Sequence, residues 1–150
     1  MRAGGGRAKG AAFEREIAKL IEQATGRKLR RRLSQYQEKD LSDLEPADGK
    51  PFPFLIECKR YASGLSPSWW DQICVAARSA ANVDDALPCL IYKLDFQPIQ
   101  VRLPIQALVM LGAPVAGDIA EAYDWKYTTT MDWDTFEMVL REHLAGASYA

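Results

Sequence analysis

The stretch FLIECKRYA, residues 54–62, sets a carboxylate and an ammonium into a run that is otherwise apolar. Phe54, Leu55, Ile56 and Cys58 are the residues of a strand in a sheet covered on both faces. Glu57 and Lys59 are costly there unless paired, hydrogen-bonded or bound to a metal. Alternate side chains of a strand share a face, so Glu57 and Lys59 point one way and Cys58 the other. Thirteen residues separate Asp43 from Glu57, enough for the rest of one strand, a turn and the return of its neighbour. Antiparallel pairing of these two segments would bring Asp43 close to Glu57 and Lys59. Two carboxylates so placed repel unless a cation neutralises them, and hard divalent ions such as Mg²⁺ suit carboxylate and water ligands. An ion held there lowers the pKa of bound water and offsets charge on a phosphoryl oxygen. A neighbouring lysine adds a point charge for the attacking hydroxide or the phosphate. The plain alternative is a Glu57–Lys59 ion pair on a solvated face.

The elements that must position these residues follow from periodicity and punctuation. Residues 1–10 (MRAGGGRAKG) are glycine-rich and basic, and are expected to be a disordered arm or to order on binding. Residues 11–150 are expected to form a single domain. Phe13, Ile17, Leu20, Ile21 and Ala24 recur at helical spacing, and Gly26 stands where a helix C-cap would. Residues 27–34 predict a strand, SQYQEKD (34–40) a loop, and Leu41 to Glu45 a short strand. PADGKP then supplies a turn, and the chain returns as the strand Phe52 to Arg60. Ser66 or Ser68 can cap a helix from Pro67 to about Asn82. Strands are predicted at Leu87 to Leu94, Ile99 to Leu103 and Tyr123 to Thr129. A short helix is expected to end at Gly112, and a last helix to run from Asp132 to Leu144. This order predicts an α/β fold, a mixed central sheet flanked by helices.

Composition narrows the class. The chain has 150 residues, 48% hydrophobic and 26% charged, as in a globular protein able to bury a core. It shows no apolar run of signal-peptide or membrane-spanning length, so no membrane role is expected. Cys58, Cys74 and Cys89 form neither a zinc pattern nor a disulfide framework, and fit a reducing cytosol as core residues. The single histidine, His143, has no partner in sequence for a triad and is expected at the surface. The net charge of −1 hides an asymmetry: residues 1–39 carry eleven Lys and Arg against four Asp and Glu, residues 84–150 four against ten. Arg27, Lys28, Arg30, Arg31 and Arg32 form the densest basic run, suited to nucleic-acid phosphates. A charged edge strand that resists aggregation is the alternative. Trp69 and Trp70 lie ~100° apart on a helix, which predicts one in the core and the other free for an interface.

An acidic residue followed at variable distance by E-x-K resembles the signature of the PD-(D/E)XK nuclease superfamily. FERE near the start, Ser42-Asp43 and IECK are similar to its archaeal and phage Holliday-junction-resolvase branch, over roughly residues 11–94. The resemblance implies a restriction-endonuclease-like core and a Mg²⁺-dependent (or Mn²⁺-supported) endodeoxyribonuclease. It implies that Asp43 and Glu57 ligate the metal, that Glu14 assists them, and that Lys59 is the catalytic lysine. Gln72, on the following helix, would face the site. Ser42 and Arg60 join the basic run as expected DNA contacts. The proline of the signature is missing before Asp43, and Asp48, with eight residues between it and Glu57, competes with it. A homodimer cutting a four-way junction in a bacterial or phage-infected cell is the substrate reading the resemblance favours. A repair or restriction-type nuclease, a non-catalytic DNA-binding module and an acidic interaction domain stand beside it.

Overall fold

A computed structural model describes residues 3–33, 41–113 and 123–146. In chain order the elements are helix α1 (Ala3–Thr25), strands β1 (Leu29–Arg31), β2 (Leu44–Pro46) and β3 (Phe54–Tyr61), and helix α2 (Pro67–Arg78). Strands β4 (Leu87–Leu94) and β5 (Gln100–Pro104), the short helix α3 (Gln106–Val109), strand β6 (Thr128–Asp132) and helix α4 (Trp133–Leu144) complete it. Four strands form one mixed sheet in the order β3-β4-β5-β6, with β3 and β4 parallel and the other pairs antiparallel. Strands β1 and β2 form a separate antiparallel pair.

The alternation of β3 divides the core between two faces. Phe54, Ile56 and Cys58 pack with Phe13, Ile17 and Ile21 of α1 and Phe136 and Leu140 of α4. On the other face Leu55 packs with Trp70, Ile73 and Leu90. β4 is buried along its first six residues because helices cover both of its faces, the reason its sequence LPCLIY is almost wholly apolar.

Several boundaries differ from the expected ones. The helix starts at Ala3, so the stretch read as a disordered arm is helical from there. Propagating a helix already nucleated by a packed face adds one hydrogen bond per residue fixed, and the Lys9 ammonium holds the extension against Asp95 at 3.3 Å. The strand expected over 123–129 begins only at Thr128. The Asp124 side chain accepts from the Lys126 N–H and turns Trp125–Tyr127 into a 3₁₀ turn first. Helix α4 starts where expected, its Asp132 side chain accepting from the Thr135 N–H at 2.8 Å. The predicted loop over 34–40 lies outside the described residues.

Candidate active site

Asp43 reaches the sheet differently from the pairing its sequence suggested. β2 forms no ladder with β3; its ladder is with β1. Instead a single backbone bond, Asp43 N–H to the Ile56 carbonyl at 2.9 Å, seats Asp43 against the edge of β3. The Asp43 carboxylate then accepts the Cys58 N–H at 2.8 Å, standing in for the next strand's carbonyl. This brackets Glu57 between two contacts and fixes Asp43 beside it. Asp43 is 4% exposed. Asp48, its competitor, lies in the turn and is spent on Arg27 at 3.3 Å and on the Lys50 N–H at 3.0 Å.

Glu57 and Lys59 share a face of β3, and the Lys59 Nζ lies 3.3 Å from Glu57 Oε1. Leu90 and Tyr92 of β4 stand beside them in register. Burial pushes the Glu57 carboxyl up from 4.5 to about 8; the Asp43 charge raises it further and the Lys59 ammonium opposes the rise. Glu14 reaches the same edge from α1, buried, with its carboxylate held by Arg31 Nε at 2.6 Å. Burial raises the Glu14 carboxyl, Arg31 lowers it, and Asp43 raises it again. Three carboxylates therefore face two cations, Arg31 and Lys59, in a poorly hydrated corner.

A divalent cation fits that imbalance. The donors are hard oxygens, and with all three carboxylates ionised the local charge is one positive unit short. Asp43 and Glu57 are the pair that would hold it. Among the described residues no three His, Cys, Asp or Glu side chains form a group that could hold a metal. The expected third ligand, Glu14, is taken up by Arg31 instead.

The remaining expected site residues divide clearly. Gln72 is exposed on α2, whose buried face is formed by Trp69, Trp70, Ile73, Cys74, Ala76 and Ala77. Arg30 Nε and Arg32 Nη1 clamp Glu45 at 3.1 and 3.0 Å, Arg27 pairs with Asp48, and Arg60 binds Asp95 at 2.6 Å. Among the described residues of the basic run, Lys28 is exposed and stands outside these ion pairs. The density of arginines on β1 thus serves acidic neighbours first, Arg31 above all, a role that spacing along the chain does not reveal. Ser42, expected to touch DNA, is 1% exposed and donates its hydroxyl to the Leu44 carbonyl at 2.9 Å. It shapes the turn into β2 and does not meet solvent.

Two further expectations are corrected. His143 is buried, with Nε2 2.8 Å from the Ala107 carbonyl and its ring edge-on to Phe54 at 5.1 Å. The α4 residues around it are charged, but the helix turns this one position onto the sheet. Trp69 and Trp70 are both buried, at 7% and 0% exposure. Trp70 donates Nε1–H to the Tyr123 carbonyl at 2.7 Å, while Tyr61 stacks over Trp69 at 4.8 Å and covers it. The three cysteines are buried and free.

An α/β core with a mixed sheet, an aspartate at the sheet edge and an E-x-K strand beside it define a PD-(D/E)XK nuclease. Residues 5–145 match the family model described as "Phage putative PDDEXK endonuclease", and the chain belongs to that family. The restriction-endonuclease-like core expected from the sequence is the core observed. Among solved structures the chain is similar to Hjc, a Holliday junction resolvase of Archaeoglobus fulgidus, at 18% identity and a TM-score of 0.46, over 85% of this chain and 89% of that one. No curated protein matches it in sequence. Among the described residues no helix is long and apolar enough to cross a membrane.

Proposed function

We propose that this endonuclease hydrolyses DNA phosphodiester bonds with a divalent cation, Mg²⁺ or Mn²⁺, and that its substrate is branched DNA cut by a homodimer. The observation that carries the reading is the Asp43–Glu57 pair, fixed through the Cys58 N–H, with the Lys59 ammonium 3.3 Å from Glu57. Asp43 and Glu57 would hold the cation. When bound, it supplies a lowered pKa for water and neutralises charge on the phosphate.

The chain's own residues do the rest. As a ligand Glu57 would be ionised, and the Lys59 ammonium lies 3.3 Å from its Oε1. Lys59 then stabilises the hydroxide nucleophile or the charge developing on the phosphate. Arg31 favours the ionised form of Glu14 against the burial that disfavours it, at the edge of the site where this carboxylate can orient water. Gln72, exposed on α2, is assigned a water-orienting role on the family pattern. Lys28 and the outer faces of the β1 arginines contact the DNA backbone.

The test is cleavage of a labelled four-way junction and a linear duplex of matching sequence, with Mg²⁺ and with EDTA. Lys59→Ala serves as the control for contaminating nuclease. Paired symmetric nicks in the junction alone, lost in EDTA and in Lys59→Ala, are the expected result. Cutting of both substrates alike would discard branch selectivity, and cutting by Lys59→Ala would discard the site.

A further inference from the structure

Phe96 sits at the tip of the β4–β5 hairpin with its side chain wholly in solvent, at 102% relative exposure. Its φ is 62°, in the left-handed region. It occupies the third position of a turn closed by the Gln97 N–H on the Leu94 carbonyl at 3.1 Å, a place that usually takes glycine. A bulky residue there is an outlier. Strain and apolar exposure both count against it for folding, so folding does not explain its presence.

The base of the turn is firmly held. The Asp95 N–H donates to the Tyr61 and Ala62 carbonyls at 3.1 and 3.2 Å. Its carboxylate binds Arg60 at 2.6 Å and Lys9 at 3.3 Å. Two cations on one carboxylate leave positive charge in excess, and Lys93 on the same hairpin adds to it. A rigid, strained tip thus presents one aromatic ring amid cations. That combination grips nucleic acid, the cations through phosphates and the ring through a base. A lone ring on a narrow tip stacks more cheaply on a base that is already splayed, since wedging into an intact duplex costs the unstacking of a base step. Tyr92, in register with Lys59, lies four residues before Phe96, so the chain sets the two no farther apart than roughly 14 Å.

We propose that Phe96 is a stacking wedge that engages an unpaired or splayed base next to the cleavage site and so selects branched over linear DNA. This rests on the reading of the chain as a DNA nuclease.

The experiment measures binding in EDTA, where nothing is cut, to a four-way junction carrying 2-aminopurine at the branch point and to a matching linear duplex. Wild type, Phe96→Ala, Phe96→Gly and Phe96→Trp are compared. Loss of the ring should weaken junction binding about 5- to 100-fold and abolish the 2-aminopurine quench, with duplex affinity unchanged and Phe96→Trp restoring both. Phe96→Gly should melt no lower than wild type, because glycine accepts the positive φ without strain. Equal junction affinity in Phe96→Ala overturns the wedge, as does an equal loss on both DNAs. A change of oligomer size in Phe96→Ala with junction binding intact also overturns it, and gives the ring to a contact between copies. If wild type binds neither DNA, the DNA-nuclease reading itself falls; if wild type binds DNA and the ring is silent, only the wedge does.

Discussion

Replacing Glu57 by glutamine should make the metal-free protein more stable at neutral pH and less sensitive to pH. The folded state holds the Glu57 proton up to about 8, whereas an unfolded chain releases it near 4.5. Between those values the folded state binds more protons than the unfolded one. The stability this proton contributes is therefore fully present below about 4.5 and is lost as pH rises to about 8. Each pH unit in that window costs about 1.4 kcal/mol, so wild type should lose roughly 3 kcal/mol between pH 5 and 7.5 from this group. Glutamine keeps the shape and a donor for Asp43 but cannot ionise. Groups remote from Glu57 are the same in both proteins and drop out of the comparison. Urea unfolding in EDTA at pH 5, 6, 7 and 8 should show equal midpoints at pH 5 and a variant that is the more stable by 1–3 kcal/mol, as an order of magnitude, at pH 7.5. Adding Mg²⁺ at 100 times its Kd should return about 2.7 kcal/mol to wild type and much less to the variant. Parallel pH curves, or a variant less stable at pH 7.5, would refute the claim that Glu57 is an ionisable group held against its preference.

Asp43→Ala should cost about 1–3 kcal/mol in a thermal or urea melt, because the buried Cys58 N–H loses its acceptor, whereas Asp43→Asn, which keeps a carbonyl, should retain most of that stability. Arg31→Ala leaves the Glu14 carboxylate buried without its counter-charge and should cost about 1–3 kcal/mol by urea unfolding, below the figure for a fully enclosed pair because Arg31 keeps 32% of its side chain exposed. Burial lowers the His143 pKa, so the stability of keeping it neutral is present above about 6.5 and lost as pH falls below that. His143→Leu should therefore lose stability relative to wild type at pH 7.5, where the Ala107 carbonyl goes unpaired, and lose less at pH 5.5; an unchanged difference in urea midpoint between the two pH values would count against it.

The chemistry of this protein was legible in its sequence because it depends on residue types at fixed short spacing. Glu57 and Lys59 two apart in an apolar run must share one face of a strand, and no tertiary information is needed to see that their charges require partners. Helical spacing likewise placed Phe13, Ile17 and Ile21 on one buried face, and β4 showed its burial on both sides in the run LPCLIY. What depended on contacts distant in sequence was not legible. Asp43 is held by the backbone of β3 and not by a strand ladder, a choice made where the β1–β2 pair splits from the main sheet. The arginines in and beside β1 look like a DNA-binding run, yet Glu14, Glu45 and Asp48 approach from other elements and take up Arg31, Arg30, Arg32 and Arg27. His143 reads as a surface residue among charged neighbours, yet a buried carbonyl from α3 and the face of Phe54 meet it in the core. Sequence fixes which groups must be compensated, since that follows from local periodicity and solvation. Only the fold decides which partner does it, because a lysine, an arginine or a metal ion can each neutralise the same carboxylate, and a carbonyl or a carboxylate can each accept the same N–H, and the one that does is set by which element is packed within reach.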